Sequence, residues 1–150
     1  AGELLKKYPA SKVTAVDYSP LSVEKTKIKN KNMLASGRLE VLENDVSNLK
    51  LEHEKFDLAT AFETIYFWPG LEKCFENVRK ILKPKGHFMI VMESNGQDKV
   101  IQWFKKRIDG MNVYSAQEIN DYLKSACFSK IETHQKPSFG SVWLMVLAEK

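Results

Sequence analysis

Short apolar runs alternate with helix-start signals along this chain, and that alternation limits its fold more than any other feature. VTAV at 13–16 is short, rich in β-branched residues and bounded by polar ones, as a strand should be. Ser19-Pro20 follows at once, a serine N-cap and a proline at the first helical position, where the missing N–H costs nothing. The predicted helix runs to about Met33, with Leu21 and Ile28 on one face, and Gly37 breaks it. LEVLE at 39–43 alternates as a second strand, and FDLATAF at 56–62 reads as a third and more buried one. Leu71, Phe75, Val78, Ile81 and Leu82 then form one stripe at helical period. Lys83-Pro84-Lys85-Gly86 ends that helix, because the residue before a proline resists the helical region. FMIVM at 88–92 is a continuous apolar run, expected of a strand covered on both faces.

The two ends complete the pattern. ELLKKY at 3–8 reads as the last turns of a helix stopped near Pro9. After Asn95-Gly96 a helix should turn Val100, Ile101, Phe104 and Ile108 inward. Another begins at Ser115 with Glu118 three residues on, a capping box, and its core face is Ile119, Tyr122, Leu123 and Ala126. Strands at about 129–134 and 142–148 close the chain around KPSFGS, and so short a connection requires antiparallel pairing. The expected fold is α/β: a doubly wound, mostly parallel sheet with an antiparallel C-terminal hairpin.

A length of 150 residues with 43% apolar content is expected to form one domain, residues 1–150, with a real core. The net charge of +4 comes from well-mixed residues, and the densest basic stretch, KTKIKNKN at 25–32, reads as a solvated helix face. Nucleic acid is therefore a disfavoured partner. Cys74 and Cys127 are far apart and in apolar surroundings, so buried free thiols and a reducing cytoplasm are expected. No apolar run approaches the roughly 18 residues of a membrane span. His53, His87 and His134 have no partners at ligand spacing, so no metal site is expected.

Ligands of such sheets bind outside the carboxyl ends of the strands, near the point where the winding reverses. Asp17, Asp45 and Glu63 each follow a predicted strand. One acid there would be unremarked; three from successive strands can converge on one edge. As bland alternatives, Asp17 could help cap the next helix, which Ser19 does better, and Asn44-Asp45 is also good turn chemistry.

At this point the chain resembles the class I S-adenosylmethionine-dependent methyltransferases of small-molecule type, with their Rossmann-like sheet. VTAVDYSP is similar to the family's second strand, and LEVLENDVSNL to its third strand and adenine-holding turn. FDLATAFETIYFW matches the fourth strand, and LEKCFENVRKILKPKGHFMIV the helix, turn and fifth strand beyond it. The resemblance implies S-adenosylmethionine as cofactor, contacted by Asp17, Tyr18, Asp45, Val46 and Glu63. In it, Asp17 takes both ribose hydroxyls, Asp45 accepts from the adenine amine, and the Val46 N–H faces a ring nitrogen. The fourth-strand end would lie beside the methionine moiety. There Tyr66 and Trp68 are candidates to line a substrate pocket, while Ile65 and Phe67 are expected to pack in the core.

Methyl transfer from a sulfonium asks little acid–base chemistry of a protein, since alignment and desolvation supply much of the rate. Where the acceptor is a hydroxyl or ammonium, a proton must leave, and Glu63 or Tyr66 is the candidate catalytic group. The family's first strand and glycine-rich loop should precede ELLKKYP, and neither is in this chain, so the domain is expected to be N-terminally incomplete. Expected partners are a small-molecule substrate and, in one assembly, a second copy of the chain. The alternatives are a nucleic-acid or protein methyltransferase and a non-catalytic binding module on the same fold. FETIYFW lacks the Asn/Asp-Pro-Pro-aromatic motif that grips a flipped base.

Overall fold

In the computed structural model, which describes residues 1–138 and 140–150, one guanidinium gathers the carbonyls that end the first helix, α1 (Gly2–Lys7). Arg38 donates from Nη2 to the Leu5 and Tyr8 carbonyls at 2.9 and 3.0 Å, and from Nε to that of Ser11 at 3.2 Å. A cation on orphaned helix carbonyls satisfies them and complements the helix dipole. This clasp belongs to the first of two compact units, residues 1–50 and 51–150.

In the first unit β1 (Val13–Asp17) pairs in parallel with β2 (Leu39–Glu43), from Val13↔Leu39 to Asp17↔Glu43. Between them run α2 (Pro20–Lys29) and α3 (Lys31–Ala35). Ser19 caps α2 by accepting from the Ser22 N–H. The helix read as continuous to Met33 is thus two pieces. They divide at Asn30, whose side-chain amide donates to the Thr26 carbonyl at 2.8 Å and offers the backbone an alternative to the helical ladder. The core is Leu5, Val23, Leu39 and Val41, with Val13, Ala15, Met33 and Leu34 against it; Leu21 and Ile28 are exposed.

The second unit is a four-stranded sheet in the order β3-β4-β6-β5. β3 (Phe56–Phe62) is parallel to β4 (Leu82–Met92), while β4 with β6 (Ser141–Glu149) and β6 with β5 (Ser129–Ser138) are antiparallel. The β5–β6 ladder continues to Ser138↔Ser141, so most of KPSFGS is strand; Phe139 lies outside the described residues. The stripe of α4 (Leu71–Ile81) is buried as expected, but Leu82 is the first residue of β4 rather than the last of the helix. Register jumps from Phe56↔Leu82 to Leu58↔His87, so Lys83–Gly86 is a bulge. A Cβ on Gly86 would sit 2.9 Å from the Lys83 carbonyl oxygen, which requires glycine there.

Phe88, Ile90 and Met92 of β4 are buried, while Met89 and Val91 are half-buried. β3 is less buried than its sequence suggests: Ala61 is buried, but Leu58 and Phe62 are each 46% exposed. Among the described residues β3 is an edge strand, and an edge strand lacks one neighbour's cover. α5 (Lys99–Lys105) also departs from expectation, since Val100, Phe104 and Ile108 are exposed and Ile101 is half-buried. Helical period marks a face without saying what covers it.

α6 (Ala116–Ser125) carries both halves of the expected capping box and buries Ile119 and Leu123. Tyr122 of its expected core face is exposed. Its end is a Schellman motif: Phe128 N–H donates to the Leu123 carbonyl, and Cys127 N–H to that of Lys124, both at 2.9 Å. Cys127 takes the left-handed position of that turn (φ 62°), which turns it outward, so this thiol is exposed whereas Cys74 is buried. Among the described residues no helix is long and apolar enough to cross a membrane.

Candidate active site

β1 and β2 end side by side, and their acids follow from that. The Asn44 N–H donates to the Asp17 carbonyl at 3.0 Å, extending the ladder by one step beyond Asp17↔Glu43. Asp17 Oδ1 accepts from the Ser19 N–H at 2.9 Å, so the carboxylate does help turn the chain into α2. Oδ2 has no bond among the described residues. Tyr18 presents a ring that is 73% exposed. Asp45 is exposed, and its Oδ1 accepts from the Ser47 N–H at 2.8 Å to cap the 3-10 turn Val46–Asn48. Each acid therefore holds its own loop with one oxygen and keeps the other.

In the second unit Glu63 terminates β3 with φ 54°, the left-handed region that costs a non-glycine residue about 1–2 kcal/mol. Two long-range bonds hold it there. Its N–H donates to the Val91 carbonyl at 3.0 Å, and its Oε1 accepts from the Glu93 N–H. Partial desolvation, with the Glu93 charge beside it, raises the Glu63 carboxyl above its ordinary range despite that N–H. The 3-10 turn Ile65–Phe67 follows, and the Asn112 N–H donates to the Tyr66 carbonyl at 2.8 Å.

That turn reverses one expectation. Ile65 is buried, but Phe67 is 47% exposed and Tyr66 is only 3% exposed. A single turn of 3-10 helix cannot bury three successive side chains on one side. The Tyr66 hydroxyl is buried with no hydrogen-bond partner, and burial raises its pKa, reinforced by the charges of Glu63, Asp98 and Glu93. Trp68 lies parallel to Phe88 at 6.3 Å between centroids and edge-on to Phe75 at 6.1 Å.

Three residues after β4 were not singled out from the sequence. Glu93 directly follows β4, so the rule that marked the acids after the first three strands applied to it equally. Ser94 is buried; its hydroxyl donates to Asp98 Oδ2 and accepts from the Gly96 N–H at 3.0 Å. Asp98 Oδ1 accepts from the Ile101 N–H at 2.9 Å and caps α5. No sequence signal joins Asp98 to Tyr66, which lies on another element.

The methyltransferase domain family matches residues 1–90. Over 91 residues the chain is 30% identical to the sterol 4-C-methyltransferase strm-1 of Caenorhabditis elegans, covering 59% of this chain and 27% of that protein. It thus spans about a quarter of that relative's length. A candidate sarcosine dimethylglycine methyltransferase from Galdieria sulphuraria aligns with a TM-score of 0.82 at 15% identity, over 99% of this chain and 73% of the other. An S-adenosylmethionine-dependent methyltransferase from Mesorhizobium loti aligns with a TM-score of 0.75 at 16% identity, over 99% and 85%. At such identities the solved structures speak for the fold alone, but the family match takes in more than half the chain. This chain belongs to the methyltransferase domain family, among the class I S-adenosylmethionine-dependent methyltransferases.

Proposed function

We propose that the protein transfers a methyl group from S-adenosylmethionine to a small-molecule acceptor. One observation carries the cofactor half of this reading: Asp17 and Asp45, at adjacent strand ends, each keep an unengaged carboxylate oxygen. Ribose presents two hydroxyl donors and adenine an amine donor, so acceptor-only side chains with spare lone pairs fit the group. Asp17 holds the ribose, Asp45 accepts from the adenine amine, and the Val46 N–H serves a ring nitrogen. Tyr18 flanks the nucleoside with its exposed ring. When bound, the cofactor supplies a methyl carbon already activated by its sulfonium.

Glu63 contributes to the methionine end and, with Tyr66, serves the acceptor. Burial raises its pKa, which makes the carboxylate a stronger base for the proton an acceptor must lose. Trp68 gives the acceptor region an apolar wall. The small-molecule class is supported by the sterol methyltransferase relative and by the absence of a base-gripping motif at FETIYFW. A reducing cytoplasm suits the two free cysteines. An upstream strand and glycine-rich loop, as in the family, would pair with the free edge of β3 and cover Leu58 and Phe62.

Titration calorimetry of the full-length protein tests the reading, with S-adenosylmethionine set against a nicotinamide dinucleotide. Binding of the former alone, weakened at least tenfold in Asp17→Ala, is expected. No binding of either would favour the non-catalytic module.

A further inference from the structure

A buried hydroxyl without a partner forfeits its hydration with no bond in return, and such a group in a native fold calls for an explanation. Tyr66 is that group here: 97% of its surface is covered, its carbonyl is tied to the Asn112 N–H, and its hydroxyl meets no acceptor or donor among the described residues. The charges facing that hydroxyl are all negative, those of Glu63, Asp98 and Glu93. None of the three carboxylates takes part in an ion pair among the described residues. Glu63 uses one oxygen on the Glu93 N–H and keeps Oε2. Asp98 is immobilised by Ser94 and the Ile101 N–H, and the Glu93 carboxylate is exposed with no bond of its own. Three carboxylates without a cationic partner bear on one unsatisfied hydroxyl, and Glu63 Oε2 and the Glu93 carboxylate lack donors as well, so the ends of β3 and β4 are short of positive charge and of hydrogen-bond donors.

We propose that the ends of β3 and β4 form a subsite for an organic ammonium, and that the acceptor of this methyltransferase is a primary or secondary amine. The ammonium supplies what the cluster lacks: its N–H donates to the Tyr66 hydroxyl oxygen, and its charge answers Glu63, Glu93 and Asp98. A metal ion does not meet the description, because among the described residues these carboxylates do not close on one point as metal ligands must. A hydroxyl acceptor would leave the charge unanswered, and a carboxylate would be repelled. Glu63 Oε2 also takes the proton that the nitrogen must shed before it has a lone pair to offer.

The substrate class rests on the methyltransferase reading, but the subsite itself does not, and the experiment separates them. Primary amines from n-butylamine to 2-phenylethylamine are titrated into the full-length protein, each beside its hydroxyl isostere, with S-adenosylmethionine titrated separately. The expected result is at least one amine binding tenfold or more tighter than its alcohol. That preference should fall at least threefold in Glu93→Gln, an exposed position, and in Tyr66→Phe, which keeps the packed ring. Cofactor affinity should stay within twofold in Glu93→Gln. Alcohols binding as well as amines throughout, or a preference that survives both substitutions, would overturn the proposal even if the cofactor binds. Amine binding without cofactor binding would keep the subsite and remove methyl transfer.

Discussion

The Asn44 N–H donates to the Asp17 carbonyl across 3.0 Å, one step past the last paired residues of β1 and β2. That bond sets Asp45 next to the strand end that carries Asp17. Two acids from separate segments therefore share one edge, because parallel pairing carries both strands to the same end.

Asp17 has one job seen in the fold and one proposed for the cofactor, and two substitutions separate them. Asp17→Ala removes the acceptor for the Ser19 N–H as well as the proposed ribose contact, so it should cost about 1 kcal/mol of stability and at least tenfold in cofactor affinity. Asp17→Asn keeps an oxygen for Ser19 while losing the charge, so stability should hold and affinity should still fall. Thermal melts with calorimetry check this; unchanged affinity in both variants would remove Asp17 from the site.

The adenine contact proposed for Asp45 is tested by changing the base. The parent should prefer the adenine cofactor over an inosine analogue, and Asp45→Ala should lose most of that preference. Asp45→Asn should do less harm, since its amide oxygen still accepts. Equal discrimination in parent and Asp45→Ala would leave Asp45 as the cap of Val46–Asn48 and nothing more.

Glu63 carries backbone strain that alanine retains and glycine does not. Both Glu63→Ala and Glu63→Gly lose the side-chain bond to the Glu93 N–H, so their difference isolates φ 54°. Glu63→Gly should be about 1 kcal/mol more stable than Glu63→Ala in urea denaturation, with methyl transfer impaired in both. Equal stabilities would mean that the left-handed conformation costs nothing here.

Acid should loosen α6 through Glu118. Its bonds to the Ser115 N–H and hydroxyl hold its pKa below the ordinary glutamate value of 4.5. A depressed carboxyl contributes stability that is complete above the unfolded pKa and lost as pH falls through the folded one. The stability difference between parent and Glu118→Gln should therefore be largest at neutral pH and shrink below about 4.5, read from melts between pH 7 and 3. A difference independent of pH would show that the capping box does not depend on the charge.

The exposed edge of β3 makes the last prediction. Residues 1–150 alone should self-associate in light scattering, because Leu58 and Phe62 lie exposed on an edge strand. A version extended upstream should be monodisperse or a defined dimer and bind cofactor more tightly. A stable monomer of residues 1–150 with tight cofactor binding would refute the proposed upstream strand.

Period, caps and punctuation let the sequence by itself determine the elements. The stripe from Leu71 to Ile81, Ser19 before Pro20 and Ser115 with Glu118 are local features whose partners lie within a turn or two. The acids at 17, 45 and 63 were legible for the same reason, since each lies at or within two residues of the end of its own strand. What lay beyond reach depends on contacts between residues far apart in the chain. Glu63 is held by Val91 and Glu93, about thirty positions away, and its left-handed backbone follows from those bonds rather than from its neighbours. Tyr66 went inside and Phe67 outside because of what packs over that turn, including a segment 46 residues on (112 − 66). The Asp98 charge bears on the same hydroxyl from another element. Hydrophobicity ranks side chains for burial, but only tertiary packing decides which of two adjacent aromatics is covered, and which charges it is covered with.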